Sequence, residues 1–214
     1  YKISGSTEIL NVKIIHVFLS ILTCLLIYFI TTSIFGIKPA LFSLILSVFH
    51  PQLIRYTGEL WSETLFIFLF CLSIYLLIKL INTKKFVFYG ISAGIIYGLS
   101  ALTREVTFYF VVPVCIWLFL NLFKKDNIKV VMLKIGVFSI FFAITLIPWT
   151  IRNYIISGKV IPISTNSGSN IYIGNNPQAN GEFNFIMPPN TVWPNHEPAG
   201  KSKKEMLIKE YNYS

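Results

Sequence analysis

LWSETLFIFLFCLSIYLLIKLI, residues 60–81, is the stretch whose solvent decides the fold. Between Glu63 and Lys79 it holds only apolar and aromatic residues and the small polar Thr64, Cys71 and Ser73. A helix of this length measures about 30 Å at ~1.5 Å per residue, which is the hydrocarbon thickness of a bilayer. The helix is apolar all round, with no polar stripe to face water, so it belongs in lipid.

Five further apolar blocks flank it. Ile14 to Phe35 and Pro39 to Phe49 lie before it, and Phe86 to Leu102, Val106 to Phe123 and Val130 to Trp149 lie after it. All are expected to be helical, because backbone polar groups in lipid must pair within their own segment. The block at 39–49 is short for a crossing; it is either re-entrant or continues to Ile54. The fold class expected is an all-α polytopic membrane protein, with about six transmembrane or re-entrant helices over 1–151 and an extracytoplasmic loop-rich domain over 152–214.

Composition agrees. The chain is 54% hydrophobic and 13% charged, with a mean hydropathy of +0.66, too apolar for an ordinary soluble domain. Its net charge of +9 does not point to nucleic acid, since the basic residues sit between apolar blocks and form no soluble face. They read as topology signals. Lys79, Lys84 and Lys85 flank one short loop, and Lys124, Lys125, Lys129 and Lys134 flank another, opposed only by Asp126. The positive-inside rule makes these loops cytoplasmic. Residues 51–62, the turn Thr103 to Glu105 and everything from Thr150 onward then lie outside. If 39–49 crosses, the first span runs from outside to inside; if it is re-entrant, that span reverses.

From Arg152 the composition turns to Asn, Gly, Pro and Ser, as in SGSNIYIGNNPQANG (167–181) and MPPNTVWPNHEP (187–198). These are turn and loop formers. The start at Tyr1 and the end just after a charged, helix-like stretch (201–211) suggest a piece of a longer protein. Cys24, Cys71 and Cys115 fall inside apolar blocks without metal-binding spacing and read as inert thiols.

The candidate chemistry lies with the arginines. The chain has 15 lysines but only Arg55, Arg104 and Arg152, all at outer span ends. A guanidinium grips phosphate oxygens with two parallel hydrogen bonds, which an ammonium cannot do. Glu59, Glu63 and Glu105 are their acidic neighbours, and Glu63 lies just inside an apolar run, where an ionisable group costs up to about 2.5–3.5 kcal/mol and therefore faces protein, water or a ligand. Two readings stand. Arg55 with Glu59, and Arg104 with Glu105 or Glu63, form interfacial salt bridges that only fix topology, or the cluster is a polar active-site surface; the outer gathering of every arginine favours the second. His16, His50 and His196 read as structural.

The strings FHPQLIRYTGELWSETLF (49–66), GLSALTREVTFYFVVP (98–113) and IPWTIRNYIISGKVIPISTNSGSNIYIGNNPQANG (147–181) resemble, in order, the bacterial branch of the protein O-mannosyltransferase and aminoarabinose-transferase family. These are GT-C type enzymes, often grouped as glycosyltransferase family 39. The resemblance implies an inverting transfer from a polyprenyl-phosphate sugar donor to a lipid, glycan or protein acceptor outside the cytoplasmic membrane, with membrane lipid around the spans and no nucleic acid. In the family the general base is an acid in the first extracytoplasmic loop, which nothing here matches, so the chain alone is expected to be inactive. The resemblance makes Glu63 a supporting acid and places Arg104, and by motif Arg152, at the donor phosphate; Arg55, Glu59 and Glu105 remain possible contributors. A divalent metal is possible, but the acids are too few and too spaced to define a metal site. A transporter or flippase of lipid-linked substrates is the alternative; it would place ionisable residues or Gly/Pro breaks near mid-span. Gly94 and Gly98 have small-residue spacing, but that spacing suits helix packing.

Overall fold

The computed structural model describes residues 6–59, 61–164 and 174–175. The loop-former segments at 167–181 and 187–198, the stretch 201–211 and His196 lie largely or wholly outside these residues. The longer described elements are all helices: α1 (Ser6–Phe35), α2 (Ile37–Val48), α3 (Pro51–Gly58), α4 (Glu63–Asn82), α5 (Phe86–Thr103), α6 (Val106–Tyr109), α7 (Val111–Leu122) and α8 (Ile128–Ser157). Four are long and apolar enough to cross a membrane, namely α1 from Leu10, α4, α5 and α8. The protein is an all-α polytopic membrane protein.

Where sequence and structure differ, the cause is local. Gly36, at φ 89, breaks α1 from α2, a left-handed geometry that glycine adopts without cost. The stretch 51–62, expected to lie outside, begins with a helix. Pro51 occupies its first turn, where the missing N–H would be unpaired anyway, and α2 and α3 meet at a 48° bend. This gives the short block the form of a broken or re-entrant span. The block 106–123 divides into α6 and α7 at Phe110. α8 runs past 151 and ends at Ser157, where Gly158 at φ 73 donates its N–H to the Tyr154 carbonyl at 2.8 Å, a left-handed helix stop.

Two compact units result, Tyr1–Thr145 and Leu146–Ser214. In the first, α4 packs on α1 and α5, and α7 on α4. α5 meets α8 through glycines spaced by four. A Cβ on Gly90 would stand 2.9 Å from Val137 Cγ1, one on Gly94 2.5 Å from the Phe138 carbonyl oxygen, and one on Gly98 2.7 Å from Thr145 Cβ. This is close backbone approach through small residues, the packing that suits helices in lipid. Tyr97 fills the same interface, fully buried between Phe138 and Phe142, and its hydroxyl donates to the Thr107 carbonyl at 3.0 Å. Large apolar side chains such as Phe18, Ile21 and Phe29 on α1 point outward, as a lipid-facing surface requires.

Candidate functional site

α4 and α5 form an antiparallel hairpin joined by residues 83–85, so the start of α4 and the end of α5 share one end of the first unit. Glu63 opens α4, where its carboxylate meets the positive end of the helix dipole. Arg104 closes α5 in an extended conformation; its N–H reaches the Ser100 carbonyl and its own carbonyl accepts from Thr107. These two side chains form an ion pair through Arg104 Nη2 and Glu63 Oε1. The sequence left Glu63 and Glu105 as alternative partners, and the hairpin selects Glu63. The Glu63 side chain is 17% exposed and that of Arg104 46%. An ion pair this open contributes only about 0–1 kcal/mol, so stability is a weak reason for placing it there. A guanidinium carries five N–H donors, and the half-exposed fork retains donors for a further anion.

Arg55 pairs with Glu59 one helical turn away at 3.0 Å and lies 5.7 Å from the centre of the Trp61 ring. The second carboxylate oxygens of Glu59 and Glu105 are both buried without a hydrogen-bond partner among the described residues. Arg152 belongs to the second unit. Its guanidinium lies 4.6 Å from the centre of the Trp149 ring and donates to Asn153 Oδ1 at 3.1 Å. The neighbouring residues of its motif hold the chain as it turns back after Gly158. Trp149 Nε1 donates to the Ile163 carbonyl at 2.8 Å, and Asn153 Nδ2 to that of Ile161 at 3.0 Å.

Sequence reading missed this clasp, although the Trp and Asn four residues apart on one helix face could have marked it. It also missed a polar face on α1. His16, Ser20 and Thr23 recur at helical spacing in an otherwise apolar span; His16 Nδ1 lies 3.1 Å from the Glu59 carbonyl oxygen and Ser20 bonds to Thr57. Among the described residues, no group of three or more His, Cys, Asp or Glu is placed to hold a metal ion.

The family model described as dolichyl-phosphate-mannose-protein mannosyltransferase matches residues 1–150 of the 214. Among curated proteins and among solved structures nothing matches the chain significantly. The family match spans every helix of the first unit, including both partners of the Glu63–Arg104 pair. On that match, the chain belongs to the dolichyl-phosphate-mannose-protein mannosyltransferase family and is a membrane glycosyltransferase of the GT-C type.

Proposed function

We propose that the protein transfers a sugar from a polyprenyl-phosphate donor to an acceptor on the outer side of the cytoplasmic membrane, with Arg104 at the donor phosphate. The observation that carries this reading is the ion pair between Arg104 and Glu63. Departure of a sugar from a lipid phosphate builds negative charge on the leaving oxygen, and a cation already fixed in place offsets it without having to reorganise. Glu63 fixes the direction of the fork and, by proximity, orients the acceptor. Arg152, stacked on Trp149 at the end of its helix, is a candidate phosphate contact by motif alone. Arg55, Glu59 and Glu105 line the polar surface. The general base is assigned to none of these residues. The bacterial branch follows from the sequence resemblance and belongs to the same proposal.

The test is Arg104→Lys in purified full-length protein supplied with polyprenyl-phosphate sugar. Charge is kept, while one charge-assisted hydrogen bond, worth about 1.5–3 kcal/mol, is lost. Turnover per KM is expected to fall roughly ten- to hundredfold, with the unfolding temperature held. Unchanged donor-dependent turnover removes Arg104 from the phosphate.

A further inference from the structure

A small cavity lies where α1, α3 and the start of α4 meet. It measures about 10 Å³ and is lined by Ser20, Thr23, Leu53, Tyr56, Thr64 and Ile67. The hydrogens of its hydroxyls can be accounted for one by one, since each hydroxyl has a single hydrogen to give. Thr23 donates to the Leu19 carbonyl at 2.8 Å and Thr64 to the Tyr56 carbonyl at 2.9 Å. Thr57 donates to the Leu53 carbonyl at 2.8 Å, so the bond between Ser20 and Thr57 is donated by Ser20. Ser20, Thr23 and Thr64 therefore present only lone pairs.

We infer that this cavity binds one water molecule, which donates to two of the Ser20, Thr23 and Thr64 oxygens. The volume matches the ~10–15 Å³ that a single water needs, and two to four polar partners are what keeps such a water in place. A cavity walled only by Leu53 and Ile67 would stay dry. A bare cation would also meet the lone pairs, but no carboxylate lines the cavity to offset its dehydration. The water has a mechanical consequence. α3 contains no buried residue, and polar contacts help to hold it and its C-cap, those of Ser20 with Thr57, Thr64 with Tyr56 and His16 with Glu59. A water at this corner adds a further link among α1, α3 and α4, beside Thr64, the residue that follows Glu63.

The experiment is a structure of the full-length protein at a resolution that orders waters, with Thr23→Val and Thr23→Ser beside the parent. Thr23 gives its hydrogen within its own helix, so its removal leaves the inter-helix bonds untouched. An isolated peak is expected within about 2.6–3.2 Å of at least two of the Ser20, Thr23 and Thr64 hydroxyl oxygens. It should be retained in Thr23→Ser and lost or weakened in Thr23→Val, with the unfolding temperature lowered by about 2–4 °C. An empty cavity overturns the inference, as does density continuous with a lipid or detergent tail, or a peak unchanged by Thr23→Val.

Discussion

A carboxylate at the mouth of an apolar helix either anchors a neighbour or meets a ligand, and for Glu63 the two roles differ in size. As an anchor it holds Arg104 in a pair half open to its surroundings, worth at most about 1 kcal/mol. In the proposed role it fixes the fork that meets the donor phosphate and orients the acceptor, and loss of a positioned acid costs on the order of a hundredfold in rate. Glu63→Gln keeps the shape and removes the charge. Sugar transfer by the full-length variant is expected to fall about a hundredfold, while its unfolding temperature stays within a few degrees of the parent. Loss of turnover only in step with loss of folded protein would return Glu63 to an anchor. The candidate residues themselves were legible because arginine is rare here and lysine is common. Their pairing was not, because Arg104 has Glu105 beside it in sequence and Glu63 forty-one positions away; only the hairpin shows which one it reaches.

At the scale of elements, the spans were legible because lipid demands long apolar helices, and their breaks were not, because chain stiffness decides those. Pro51 reads equally as a loop residue and as a helix start. The apolar run of α8 stops at Trp149, yet the helix continues to Ser157, since Arg152 and Asn153 cost little once near the membrane surface and Gly158 supplies the stop. The packing of α5 on α8 gives the sharpest test at this scale. Gly94→Ala would set a methyl 2.5 Å from the backbone carbonyl of Phe138, which cannot rotate away. Overpacking of this kind costs about 1–3 kcal/mol. Gly136, within α8, has nothing within 4 Å of its would-be Cβ, so alanine there is expected to be neutral or slightly stabilising. Thermal unfolding of both variants checks the contrast. A Gly94→Ala protein as stable as Gly136→Ala would mean that the two helices do not approach as closely as described.

Across the whole molecule, charge is divided between the two ends of the α4–α5 hairpin. Lys79, Lys84, Lys85, Lys124, Lys125 and Lys129 lie in sequence beside the two short loops at the Asn82 end, and Lys125 reaches Asn82 Oδ1 at 2.7 Å. Asp126, the one acid nearby in sequence, is spent on the buried Lys134 at 2.7 Å, so it offsets none of the outer lysines. The opposite end carries Glu63 and Arg104 in a pair that is neutral overall, and Arg55 and Glu59 close by in sequence. By the positive-inside rule those loops are proposed to be cytoplasmic, an orientation that would turn the Glu63–Arg104 end outward, where the proposed acceptor is. The expectation is tested with single cysteines in a protein freed of Cys24, Cys71 and Cys115, using a membrane-impermeant maleimide on intact cells. Ser62→Cys should be modified; Lys84→Cys and Lys124→Cys should react only after the membrane is opened. Labelling at Lys84→Cys from outside with Ser62→Cys silent would reverse the protein in the membrane, and a site facing the cytoplasm could not serve an acceptor on the other side.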